Sequence, residues 1–160
     1  CRVSAEITIE AFDGKPDVAF ETQISVTQGL NLRLTDHPVF TVQSNAPAYH
    51  YVYFWAPYVD SLNYYRLFPN TFDDQSEKKK QLTIPSDEAS KAYEFEITLP
   101  EGMGYSHEYL ILISSKTRLE APPEKITETN FFRWLKGFKR NQWTQSKFNY
   151  RVLGDSSWQT

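Results

Sequence analysis

The chain has one cysteine, three histidines, six scattered glycines and no long apolar run. A helix needs about 20 apolar residues to cross a bilayer, so no membrane-spanning helix is expected. No signal-peptide pattern is present either. With Cys1 alone, an intrachain disulfide and a Cys-rich zinc site are both excluded. Scattered glycines leave no phosphate-cradling loop, and no Gly-x-Ser-x-Gly elbow occurs. Nucleophilic catalysis needs a nucleophile, a base and an orienting group within reach. His37 precedes Pro38 in a turn, His50 sits mid-strand among aromatics as a satisfied sheet residue, and His107 lies beside Glu108. Asp73-Asp74 is an acidic pair without the spacing of a calcium loop. The expectation is a protein with no catalytic centre, no metal and no cofactor.

What is present is aromatic and unevenly charged. Ten Tyr, eleven Phe and four Trp supply much of the apolar area, and Tyr and Trp need a polar outlet. A chain of 160 residues fits one domain and builds a core without staples. The net charge is −3, yet residues 1–115 carry eight basic and sixteen acidic residues, and residues 116–160 carry nine and four. Nucleic-acid domains are typically basic overall, so nucleic acid is not an expected partner.

Alternation dominates the pattern. Ala5, Ile7, Ile9 and Ala11 have period two, and Asp13-Gly14 follows as a hairpin-turn dipeptide. Val18, Phe20, Ile24 and Val26 predict a strand, as do Leu30, Leu32 and Leu34, and Phe40 and Val42. From Tyr49 to Trp55, Tyr49, Tyr51, Tyr53 and Trp55 line one face and His50, Val52 and Phe54 the other. Large side chains on both faces predict a central strand. Further strands are predicted over Leu62–Phe68, Leu82–Ile84, Tyr93–Leu99, Tyr109–Ile113 and Phe148–Val152, with 71–81 a polar loop. One helix stands out: Thr127 caps it, and Phe131, Leu135 and Phe138 share a face. Many short strands with regular turns predict a mainly β fold, an antiparallel β-sandwich (immunoglobulin-like or related) with one short C-terminal helix. No repeat or linker divides it, so residues 1–160 read as one domain. Residues 1–22 are an added N-terminal strand or the tail of a preceding domain.

Several pieces occur in a recognisable order: Gly29-Leu30-Asn31, Ala48-Tyr49-His50-Tyr51-Val52-Tyr53, Leu67-Phe68-Pro69-Asn70, Ile84-Pro85, Leu99-Pro100-Glu101-Gly102, Ile113-Ser114-Ser115, Phe132-Arg133-Trp134-Leu135 and Tyr150-Arg151-Val152. Over Gln23 to Leu153 the chain resembles a bacterial family of domains of unknown function that carries a Leu-Phe-Pro-Asn motif. The resemblance implies a β-sandwich without catalytic residues, found in envelope or secreted proteins or attached to kinase or caspase-like domains. The turn Ala56–Ser61 is bulkier than that family's usual connection.

The motif has its own physics. Pro69 has no N–H and stops the ladder, and Asn70 bonds local backbone, so Leu67 or Phe68 points inward. Arg133, Lys136, Lys139 and Arg140, with Lys147 nearby and Trp134 and Trp143 between them, are the candidate docking surface for an acidic protein partner. The competing account is a packing helix with a solvated basic face. Lys78-Lys79-Lys80 reads as a solvated loop. Cys1 heads the chain as the lipid-bearing cysteine heads a processed bacterial lipoprotein. That would place the protein in the cell envelope, tied to a membrane only by the lipid; the competing reading is a domain excised from a longer protein.

The resulting expectation is a non-enzymatic binding and assembly module of a bacterial envelope protein. One alternative is a small-ligand or glycan sensor that uses Tyr49, Tyr51, Tyr53, Trp55, Tyr58, Tyr64 and Tyr65. Another is a regulatory accessory domain of a larger enzyme.

Overall fold

The computed structural model describes residues 12–60 and 62–154. The strand expected over Ala5–Ala11 and the lipidation site expected at Cys1 lie outside these. Eight strands carry the fold: β1 (Thr22–Val26), β2 (Asn31–Arg33), β3 (Phe40–Trp55), β4 (Asn63–Phe68), β5 (Lys79–Ile84), β6 (Tyr105–Ser115), β7 (Lys125–Thr127) and β8 (Trp143–Leu153). Among the described residues two short α-helices, α1 (Pro57–Asp60) and α2 (Glu128–Leu135), interrupt them. The protein is mainly β, built on a mixed sheet with the order β2-β8-β6-β3-β4-β7 and with β1 and β5 joined to β3.

Strand β3 is the spine. Its first part pairs with β1 and β5, and its second part with β6 and β4. The register against β5 shifts between Gln43 and Ala48, a stretch that contains Pro47. Proline offers no N–H to a ladder, which accounts for the break at that point. Beyond it, β3 lies between β4 and β6, the central position that its two-sided pattern predicts, and apolar clusters pack on both of its faces.

Two apolar clusters lie on opposite faces of the large sheet. On one face Val52, Leu110, Leu112, Tyr150 and Val152 pack with Ile24, Val26, Phe40, Val42 and Ile84 from β1, the start of β3, and β5. On the other, Tyr51, Tyr53, Ile111, Ile113 and Trp143 pack under Leu119, Phe131 and Leu135. Helix α2 is placed by its own sequence. Thr127 accepts a hydrogen bond from the Asn130 N–H at 3.3 Å, and Phe131 and Leu135 fall one turn apart on the buried face. Phe131 meets Tyr53 and Tyr64 edge to face, with ring centroids 4.9 and 5.2 Å apart.

Several expectations need correction. The sheet is not wholly antiparallel, because β2 runs parallel to β8. Alternation reveals a strand but not the direction of its neighbour, and β2 docks on a strand formed more than a hundred residues later. Tyr93–Leu99 forms no strand, although Phe95, Ile97 and Leu99 still turn inward. Its backbone is tied at Ile97, which receives from the Thr35 N–H at 3.0 Å and donates to Asp36 at 2.9 Å. The strand predicted from Val18 starts only at Thr22, because Asp17 folds the chain into a turn and leaves Val18 86 % exposed. Lys79 and Lys80 belong to β5 rather than to a loop. The predicted helix stops at Leu135, with Phe138 beyond it, and the strand predicted over Phe148–Val152 follows as the longer β8.

Candidate binding face

The two halves of one sheet face differ. Residues paired directly across antiparallel strands point to the same side, so register assigns each side chain. Tyr51 opposite Ile113, and Ser115 opposite Trp143, lie on the half covered by α2. The same face continues through Trp55 opposite Tyr109, Tyr109 opposite Asn149, and His107 opposite Arg151. Leu32 is buried on the far side, so its neighbours Asn31 and Arg33 complete the near face at the sheet edge. Here α2 no longer covers the strands. His107, Lys147, Asn149, Arg151, Asn31 and Arg33 are exposed, and Tyr105 is 59 % exposed.

Between the halves lies a cleft of about 520 Å³. Trp55, Tyr109 and Ile111 form its sheet side, Thr127, Glu128 and Thr129 at the start of α2 form one wall, and Lys147 and Leu62 also line it. Trp55 and Tyr109 are half-buried, with ring centroids 5.0 Å apart and planes tilted by 45°. The Glu128 carboxylate is held by the Tyr64 hydroxyl, which donates to Oε2 at 2.7 Å. Burial raises the pKa of that hydroxyl, and the Glu128 contact adds to the rise, so Tyr64 remains a donor. On the open half, the Arg151 Nε donates to the Asn31 side chain at 3.1 Å, which lays the guanidinium along the edge of the sheet. The cleft therefore combines aromatic rings with an anchored acid and a lysine, and leads onto a face rich in cations and amides.

A depression of about 680 Å³ near Arg66 and Arg118 is larger, but its cations hold loops in place. Arg66 donates to the carbonyls of Pro69, at 2.8 Å, and Pro122. Arg118 donates to the Gln75 carbonyl at 3.2 Å and stacks on Tyr49 at 4.6 Å.

The basic residues singled out in the sequence do not form one patch. Arg133, Lys136 and Lys139 are exposed, and Arg133 bonds Asn130 at 2.8 Å within α2. Arg140 is half-buried: it stacks 3.8 Å from the Trp143 ring centroid and donates to the Trp143 carbonyl at 2.6 Å. Burial lowers its pKa. The interleaved tryptophans turn inward, Trp143 being buried and Trp134 donating to the Glu120 carbonyl at 2.9 Å.

The Leu-Phe-Pro-Asn segment behaves as its chemistry predicts. Phe68 is buried. Asn70 donates to the Leu67 carbonyl at 2.8 Å and accepts from the Phe72 N–H at 2.9 Å. Pro69 follows a cis peptide bond, as does Pro85. Asp73 is not a solvated loop acid. It is buried, and its carboxylate accepts from Ser86, through both N–H and hydroxyl, and from Tyr93. Among the described residues no group of three or more His, Cys, Asp or Glu is placed to hold a metal. No helix among them is long and apolar enough to cross a membrane.

His50 comes close to Ser114, with 2.7 Å between Nδ1 and Oγ, while its Nε2 lies 2.8 Å from the Lys79 carbonyl. That carbonyl can only accept, so Nε2 carries the proton and Nδ1 receives the serine hydroxyl. Both His50 and Ser114 are fully buried, which closes this pair to substrate. His37 pairs with Glu94 at 3.3 Å on the surface, and His107 meets Tyr105 edge to face on the open half.

Sequence reading missed the open half. A signal existed: Tyr105, His107 and Tyr109 alternate with Ser106, Glu108 and Leu110, and Lys147, Asn149 and Arg151 alternate with Phe148, Tyr150 and Val152. The inward half of the second pattern predicts β8, and its outward half is the open face. No family model matches the chain, and neither a curated protein nor a solved structure matches it.

Proposed function

We propose that the protein is a non-catalytic recognition domain that engages its ligand through the open half of the large sheet and the adjoining cleft. The observation carrying this reading is the change along one sheet face from packed aromatics to exposed aromatic, basic and amide side chains. Among the described residues, the imidazole nearest a hydroxyl nucleophile is sealed in the core, which supports recognition rather than turnover. The two apolar clusters are what a β-sandwich with an added helical layer would have, in keeping with the Leu-Phe-Pro-Asn resemblance. A bacterial envelope setting belongs to the same proposal. The intact mass of the protein from its native cells tests that setting, an acyl increment at Cys1 being the expected result.

The binding reading is tested by amide NMR during titration with a fragment and oligosaccharide library. Shifts should gather at Tyr105, His107, Tyr109, Lys147 and Arg151. A second reading keeps a protein partner docked on Arg133, Lys136 and Lys139, because these three are exposed within one short segment on and after α2. Shifts confined there would favour it, and chemical turnover of any library member would end the non-catalytic reading.

A further inference from the structure

Resting on that reading of the open face, we infer that its ligand is an acidic glycan, a chain of sugar rings bearing carboxylate or sulfate groups. Three features carry the inference. The first is the aromatic floor. Trp55 and Tyr109 sit side by side in the cleft, and Tyr105 lies four residues further along β6, about 13 Å away at ~3.3 Å per residue. Aromatic faces stack against the apolar C–H faces of sugar rings, and this span holds about three of them. The second is charge. Lys147, Arg151 and Arg33 point to this side, and none of the strand residues that share it is acidic. In a protein of net charge −3, strand residues that offer three cations and no acid on one face are complementary to an anion.

The third feature separates a glycan from a nucleic acid. The cleft wall is the Glu128 carboxylate, fixed by Tyr64, with the Thr129 side chain beside it. A carboxylate accepts hydrogen bonds from sugar hydroxyls and repels a phosphodiester. Single-stranded nucleic acid brings one phosphate per nucleotide and draws most of its affinity from neutralising them, which three cations facing a fixed acid serve poorly. An acidic glycan matches both the cations and the acid, because its rings carry free hydroxyls for the carboxylate beside the anionic groups for the cations. Its hydroxyls meet Glu128, Asn149 and Asn31, and its anionic groups meet Lys147 and Arg151.

The test is calorimetric titration of the whole chain at low salt with five probes: oligogalacturonate, oligoguluronate, a heparin oligosaccharide, neutral maltohexaose and oligo-dT. At least one acidic chain should bind, more weakly as salt rises, with maltohexaose and oligo-dT silent. Trp55→Ala should weaken it about tenfold or more. Lys147→Ala and Arg151→Ala, which leave the core intact, should each weaken it about twofold to fivefold and flatten the salt dependence. If maltohexaose binds as well as the acidic chains, or if oligo-dT alone binds and is lost with Trp55→Ala, the acidic-glycan inference falls while the open face stands as a binding site. If an acidic chain binds and none of the three substitutions alters it, or if no probe binds, both the inference and the site it rests on are overturned.

Discussion

The covered and the open halves of the large sheet's near face come from the same strands and alternate in the same way, yet they have been put to different uses. Under α2, polar tips on aromatic rings are consumed internally. The Tyr53 hydroxyl donates to the Pro123 carbonyl at 2.7 Å, and the Tyr51 oxygen accepts from the Leu119 N–H at 2.9 Å. Their neighbours on β6 are Ile111 and Ile113, buried by Phe131 and Leu135. A few residues further along, β6 presents Tyr109, His107 and Tyr105 and β8 presents Lys147, Asn149 and Arg151, with no layer above them among the described residues. A covered sheet half turns aromatic area into stability, and the open half leaves it at the surface.

The sharpest way to break this contrast is to remove the cover. Phe131→Ala should cost about 3–5 kcal/mol, because a fully buried ring packed on Tyr53 and Tyr64 leaves a cavity. Urea denaturation reads this directly, and a loss below ~1 kcal/mol would show that α2 is not what seals that half.

A second contrast runs through β6 itself. Glu108 lies between His107 and Tyr109 but points to the opposite face, where it is buried. Tyr150 donates to its Oε1 at 2.9 Å, and the Tyr58 oxygen lies 2.6 Å from its Oε2 and 3.1 Å from the Thr98 carbonyl. The single Tyr58 proton cannot serve both neighbours, but if Glu108 is protonated it donates to Tyr58 and Tyr58 donates to Thr98. Burial raises the Glu108 pKa above the ordinary carboxylate range, against the two tyrosine hydrogen bonds, which lower it. The folded state thus holds this proton more tightly than the unfolded chain. Glu108 contributes fully below the unfolded value, and that contribution is lost as pH rises through the folded one. His50 acts with the opposite sign. Burial lowers its pKa, so its neutral ring favours the fold at higher pH and stability falls as pH drops below about 6.5. Subtracting the stability–pH curve of Glu108→Gln from that of the native chain should isolate the decline on the alkaline side of the carboxylate range. A flat difference would mean that Glu108 is ionised in the fold.

Smaller effects should follow. Thr127→Ala removes the cap of α2 and should cost about 1 kcal/mol, read from the thermal midpoint with the mainly β circular dichroism unchanged. Arg151→Ala, on the open half, should change stability by less than about 0.5 kcal/mol. A larger loss would mean that the Arg151–Asn31 contact holds the β2 edge and would weaken the distinction between the two halves.

The sequence by itself determined the strand-rich class, the central position of β3, the capped helix and the role of the Leu-Phe-Pro-Asn turn. Each depends on periodicity or on the local chemistry of proline, asparagine and threonine, which act over a few residues. Only the tertiary structure decided that β2 runs parallel to β8, that Tyr93–Leu99 alternates without joining a ladder, and that Arg140 is spent on Trp143. The candidate site belongs to this second group. Tyr105, Tyr109, Lys147 and Arg151 carry the alternation of exposed strand residues, but nothing in it says where the cover ends. That depends on where an eight-residue helix comes to rest on strands far from it in the chain, and such packing is decided by shape and burial rather than by neighbouring residues.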